Sequence, residues 1–257
     1  MPRLTVTDLQ QMKRDGKKIQ AAIAYEHQMA QIYDRAGVDL VTVGDTVGAV
    51  LWGQATWFEV TMDQMVLTCL GVTRGVQHAV VNCDLPFGPV QEGADAALRA
   101  AIRFVKEGHA DMVKLDNAPS NMEAVRAIIK AGIPLWPQFG FSPQSTIAIG
   151  GEFLSRTPEM IEQRRQLVLT QAKQLEEAGA TMLDLTGVTH ELYGEVTKSV
   201  SIPVLGGQAG AEADGRIMGF TPRANGIDRP DDGRFNAGKL IYEGVLAAVE
   251  ATRAGNF

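Results

Sequence analysis

Acidic residues and one lysine recur where short apolar runs of this chain end. Asp45 falls in Val43-Gly44-Asp45-Thr46-Val47-Gly48, where nearby glycines let the backbone approach a ligand closely. Asp84 ends the run 79–84. Together the two carboxylates suit a divalent cation such as Mg²⁺, a hard ion held by one or two carboxylates plus waters and substrate oxygens. A lone aspartate in such a place more often caps the next helix; repetition from run to run is what points to a site. Lys114 and Asp116 stand two apart, on one face of a strand, as do Asp184 and Thr186. An ion pair within or between strands would explain Lys114. The chemical alternative is a cation that binds a carboxylate or stabilises an enolate, with Asp116 tuning the lysine or a metal's surroundings. A Schiff base on Lys114 is a lesser alternative. Tyr25 and Gln138 complete the polar run ends.

Seven such runs read as strands: 18–24, 40–43, 79–84, 111–116, 133–138, 181–186 and 202–206. Several are apolar on both faces, as strands covered by helices should be. Amphipathic stretches at 26–36, 61–73, 93–106, 122–130, 158–178 and 191–199 read as helices, and Thr7 with Gln10 predicts a capping box on a short N-terminal helix. Glycines at 37, 108, 132 and 179 close a helix and open the next strand. The alternation predicts a single-domain (β/α)8 barrel over 1–257, ahead of a doubly wound sheet, with a last helix at 235–253. The eighth strand has no clear segment, because 209–229 reads mostly as loop and 224–233 as an exposed loop or lid. In a parallel barrel the reacting groups sit at C-terminal strand ends, which is where the polar residues fall.

The balance of 24 basic against 30 acidic residues, net −6, excludes nucleic acid and anionic membranes as natural partners. No apolar run is long enough to span a bilayer, and the start has no signal-peptide character, so a cytoplasmic enzyme is expected. Cys69 and Cys83 lack metal-site spacing, and none of the four histidines falls at a strand end. Trp52 and Trp57 follow the second strand and could close over a substrate or pack at a subunit contact.

From about Thr5 to Gly219 the chain resembles the ketopantoate hydroxymethyltransferase (3-methyl-2-oxobutanoate hydroxymethyltransferase) family, within the phosphoenolpyruvate mutase/isocitrate lyase superfamily of barrels. The segments that carry the resemblance include Ala24-Tyr25, Val43 to Gly48, Asp84-Leu85-Pro86-Phe87, Val113-Lys114-Leu115-Asp116, Gly140-Phe141-Ser142-Pro143-Gln144-Ser145, Gly150-Gly151 and Ile202-Pro203-Val204. The resemblance implies transfer of a hydroxymethyl group from 5,10-methylenetetrahydrofolate onto an α-keto acid, in pantothenate synthesis, through an enolate on Mg²⁺. It places the metal on Asp45 and Asp84, with Asp116 standing where the family has Glu. Thr46 and Lys114 would hold the substrate carboxylate, and a homo-oligomer is implied.

Three departures accompany these matches. The family's Glu base in a Leu-Glu-x-Val-Pro segment is Thr186 in Leu185-Thr186-Gly187-Val188-Thr189. The family's His in Gly-His-x-Gly is Gln138, and a later His-Asp is Thr221-Pro222. Threonine cannot take a proton from a carbon acid near neutral pH, and general-base catalysis is worth roughly 10²–10⁴-fold. Asp184 is the carboxylate left to act as base. The alternatives are a C–C lyase or aldolase on another 2-oxo acid, its pocket shaped by Trp52, Trp57, Trp136 and Phe139, and an inactive paralogue that only binds a ligand.

Overall fold

A computed structural model describes residues 2–142, 144, 157–219 and 237–253. Eight parallel strands form a nearly closed barrel: β1 (Ile19–Ile23), β2 (Leu40–Val43), β3 (Val80–Asp84), β4 (Met112–Leu115), β5 (Leu135–Gly140), β6 (Leu183–Thr186), β7 (Val204–Leu205) and β8 (Gly215–Met218). From β1 to β7 each strand pairs with the next in sequence, and β8 pairs with β1 but forms no ladder with β7. The β7–β8 seam is thinner. It is bridged by Asp214 N–H to the Val204 carbonyl (3.1 Å) and Ile217 N–H to the Gly206 carbonyl (3.1 Å). The stretch expected to be loop therefore supplies β8. Its four residues offer only Ile217 as a buried apolar side chain, too little for a pattern, and Gly215 is required because a Cβ there would lie 2.1 Å from the Ile19 carbonyl oxygen.

Helices α1 (Val6–Arg14), α2 (His27–Arg35), α3 (Val47–Trp52), α4 (Met62–Thr73), α5 (Ala94–Lys106), α6 (Met122–Lys130), α7 (Pro158–Gln163), α8 (Arg165–Glu177) and α9 (His190–Ser199) belong to the barrel unit, which ends at Met218. The capping box of α1 is Thr5 with Asp8, not Thr7 with Gln10. The short Asp8 carboxylate reaches back to Thr5 N–H at 2.8 Å, two residues earlier than the Gln spacing suggested. One helix expected at 158–178 is two, broken at Arg164. Helix α3 escaped the pattern because β-branched residues and Gly48 give it weak helical propensity. The second unit, beginning at Gly219, contains α10 (Ala237–Arg253), along which Leu240, Ile241, Val245, Leu246 and Val249 are exposed. The lid expected at 224–233 and the Thr221-Pro222 departure lie outside the described residues.

Period-two alternation divides the barrel interior into a floor and a mouth. The floor is apolar: Ile19, Ala21, Leu40, Val80, Met112, Trp136, Met182, Leu205 and Ile217 cluster with Leu9 of α1. Two residues further along the same strands come Thr42, Asn82, Lys114, Gln138 and Asp184, all buried, and beyond them the strand ends. Trp136 therefore packs under the site, and Phe139, on the opposite face of β5, is sealed at 1 % exposure. Neither shapes a pocket wall as expected for the lyase alternative, because β5 turns Gln138 and not its aromatics toward the mouth.

Candidate active site

Strand ends β2 to β6 bring four carboxylates, Asp45, Asp84, Asp116 and Asp184, to one end of the barrel around a single ammonium, Lys114. Lys114 Nζ donates to Asp84 Oδ2 at 2.9 Å and pairs with Asp184 Oδ2 at 3.0 Å, and it stands 5.4 Å from the centre of the Trp136 ring. Burial works against its charge, but Asp84 and Asp184 outweigh it and hold the ammonium protonated well above the ordinary lysine range. The ion-pair expectation for Lys114 is met across strands rather than with Asp116. Asp84 is further fixed at Oδ1 by Asn82 Nδ2 (3.0 Å) and the Thr42 hydroxyl (3.3 Å).

Asp45 lies just past β2. Burial, reinforced by the charges of Asp84 and Asp116, pushes its carboxyl up to about 7. Its Oδ2 accepts from Gln144 Nε2 at 3.1 Å. Asp116 is pushed up to about 6 by burial, against donors from Ser142, Gln144 N–H and Asn117 N–H. Thr46, beginning α3, shares a 2.7 Å hydrogen bond with the Tyr25 hydroxyl after β1, and burial raises that phenol to about 12, leaving it neutral.

The β5–β6 side is different. Gln138 Nε2 donates to the Thr186 hydroxyl oxygen at 2.8 Å, and that hydroxyl donates to Asp184 Oδ1 at 3.4 Å. An amide nitrogen can only donate, so the single Thr186 proton is free to point at Asp184. Burial raises the Asp184 carboxyl despite the lysine beside it. At 1 % exposure Asp184 lies beneath Thr186, not in the open mouth.

Of the nine residues singled out from the sequence, Tyr25, Asp45, Thr46, Asp84, Asp116 and Thr186 fall at or just past the C-terminal strand ends, and Lys114, Gln138 and Asp184 in the layer just beneath. Three polar residues of the network carried no expectation: Thr42, Asn82 and Gln144. Asn82 precedes Asp84 by two, so period-two reading from Asp84 reaches it. Gln144 lies in the segment after β5, where no strand period applies. Among the described residues no cluster of three or more His, Cys or carboxylate ligands forms. Mg²⁺ is usually held by one or two carboxylates with waters and substrate oxygens. The residues fit a cation on charge: four acids face one ammonium, and that ammonium is committed to two of them.

The eight-stranded parallel barrel places the chain in the (β/α)8 class, a fold it shares with solved structures. A phosphoenolpyruvate phosphomutase from Streptomyces platensis subsp. rosaceus superposes with a TM-score of 0.68 at 13 % identity, over 95 % of this chain and 88 % of that one. A 2,3-dimethylmalate lyase of the phosphoenolpyruvate mutase/isocitrate lyase superfamily does so at 0.65 and 15 %, over 98 % and 89 %. Sequence narrows the class. The profile of the ketopantoate hydroxymethyltransferase family matches residues 3–226. The 3-methyl-2-oxobutanoate hydroxymethyltransferase of Salinibacter ruber is 39 % identical over 100 % of this chain and 97 % of its own, and that of Cytophaga hutchinsonii 36 % over 99 % and 94 %. The chain belongs to the ketopantoate hydroxymethyltransferase family, a family of one-carbon transferases.

Proposed function

We propose that this barrel transfers a hydroxymethyl group onto an α-keto acid, 3-methyl-2-oxobutanoate, through an enolate, with a divalent cation at Asp45 and Asp84 and Asp116 beside them. The observation that carries this reading is the excess of buried carboxylate over positive charge at the mouth. A phosphonopyruvate hydrolase of the same fold, solved with oxalate and Mg²⁺, supports Mg²⁺ as the ion. When bound, the cation supplies a Lewis acid at the keto oxygen.

The chain's own residues do the rest. Lys114 has three N–H donors, two of them committed to Asp84 and Asp184, and the third takes the substrate carboxylate together with Thr46. Tyr25 holds the Thr46 hydroxyl in place. Asp184 is the base and Thr186, no base by itself, only relays: its hydroxyl gives its own proton to Asp184 Oδ1 in the same step in which its oxygen receives the proton from C3 of the substrate, while Gln138 fixes the hydroxyl between them. A carboxyl raised by burial is a stronger base than an ordinary aspartate, which is what this step needs. The one-carbon donor proposed is 5,10-methylenetetrahydrofolate, on family resemblance alone. The exposed apolar residues of α10 support a homo-oligomer. Two buried free thiols suit a reducing cytoplasm, and no helix among the described residues is long and apolar enough to cross a membrane.

A second reading, a C–C lyase on another 2-oxo acid, is favoured by the amide–hydroxyl pair Gln138–Thr186 at the position where a proton must be exchanged. Proton NMR of 3-methyl-2-oxobutanoate with the protein and Mg²⁺ in D₂O separates the readings. Loss of the C3 proton that requires both metal and Asp84, tested with Asp84→Asn, supports the transferase. Bound keto acid without exchange overturns it, and cleavage of other 2-oxo acids would then distinguish a lyase from an inactive barrel.

A further inference from the structure

We propose that Gln144 is a positioning residue for the cation, holding Asp45 in the one orientation that leaves an oxygen open, with Asp116 as the anchor that holds Gln144. This rests on the cation reading above. The carboxamide nitrogen of Gln144 has two protons, and both are spent: one on Asp45 Oδ2 at 3.1 Å, the other on the Leu85 carbonyl at 3.3 Å. Both acceptors lie just past strand ends, after β2 and β3, so the amide spans the gap between the two proposed cation ligands. Asp45 Oδ1 accepts no hydrogen bond from the described residues and is left for the ion. Without the amide, the carboxylate is free to turn away from that orientation.

The backbone of Gln144 is fixed in turn. Its N–H donates to Asp116 Oδ2 at 2.8 Å, Asn117 N–H takes Asp116 Oδ1, and the Ser142 hydroxyl also donates to this carboxylate. A carboxylate so fully supplied with donors is an anchor, which makes the third acid of the mouth act on the ion through Gln144. At 6 % exposure Gln144 is packed, so the arrangement is preorganised. Groups that orient a ligand in this way commonly contribute 10–100-fold to metal affinity.

The test uses Mn²⁺ as probe, titrated into the purified full chain and read as free Mn²⁺ by electron paramagnetic resonance. Gln144→Met keeps size and removes the donor. It should weaken Mn²⁺ binding by about 10–100-fold, and Asp116→Asn should weaken it by a similar factor, with the double variant no worse than either single one. Mn²⁺ affinity in Gln144→Met equal to or tighter than the parent overturns the proposal, as does full additivity with Asp116→Asn. If Gln144→Met fails to fold, Gln144→Asn, whose amide is too short to reach Asp45, is held to the same two outcomes. Asp45→Asn guards the premise. If the parent does not bind Mn²⁺, or Asp45→Asn binds as the parent does, the cation reading fails. If Asp45→Asn loses the ion and Gln144→Met does not, only the role of Gln144 fails.

Discussion

The two sides of the barrel mouth bury carboxylates in opposite electrostatic settings. On the β2–β4 side, Asp45 and Asp116 are held by neutral donors, an amide, a hydroxyl and backbone N–H groups, and the strongest charges acting on Asp45 are other acids. On the β6 side, Asp184 has the Lys114 ammonium at 3.0 Å as its largest electrostatic partner. Neutral donors fix a carboxylate without cancelling its charge, so the first side keeps an excess of carboxylate over positive charge. The second side is already balanced and has only a proton left to exchange. Under the proposed function, the first side is the place for an ion and the second the place for a proton.

Removing the shared element should break the comparison most severely. Lys114→Met leaves Asp84 and Asp184 buried without compensation and should cost about 3–5 kcal/mol, read by urea denaturation. A cost under 1 kcal/mol would show that the balance on the β6 side comes from elsewhere. Next, the two sides should fail separately. Asp184→Asn should slow C3–deuterium exchange by roughly 10²–10⁴-fold and leave Mn²⁺ affinity near that of the parent, whereas Asp45→Asn should abolish Mn²⁺ binding. Equal loss of metal in both variants would merge the two sides into one.

A smaller effect concerns pH. Because the folded protein holds the protons of Asp45 and Asp116 up to about 7 and about 6, while the unfolded chain releases them near the ordinary aspartate value, stability from these groups falls as pH rises through that window. The metal-free protein should therefore melt lower at pH 8 than at pH 5 relative to Asp45→Asn, and Mg²⁺ should remove the difference. A pH profile shared by parent and variant would exclude Asp45 as its source. The smallest change expected is Thr186→Ser, with exchange within about 3-fold of the parent, against a loss of roughly 10²-fold in Thr186→Val if the hydroxyl carries the proton.

Much of this was legible beforehand because it rests on periodicity, two in the strands and 3.6 in the helices. Leu40–Val43 and Met122–Lys130 are where the pattern puts them, and Asp184 and Thr186 share a face of β6 as their spacing requires. What resisted lies where periodicity stops or charge is absent. Gln144 is neutral and lies beyond the end of β5, so nothing in its type or spacing marks it. The partners of Lys114 stand 30 and 70 positions away, on strands only barrel closure brings together. Strand β8 is legible only from its pairing with β1, since Gly215 and exposed Arg216 hide the single buried Ile217.

The seam between β7 and β8 has a dynamic consequence. Elsewhere neighbouring strands are joined by a ladder, short as it is between β6 and β7, but here two backbone bonds outside any ladder, to the Val204 and Gly206 carbonyls, close the ring. The amides of Asp214 and Ile217 are therefore the first of the barrel wall to trade hydrogen with solvent, and the staves part there while the acid-bearing strands β2 to β6 stay joined.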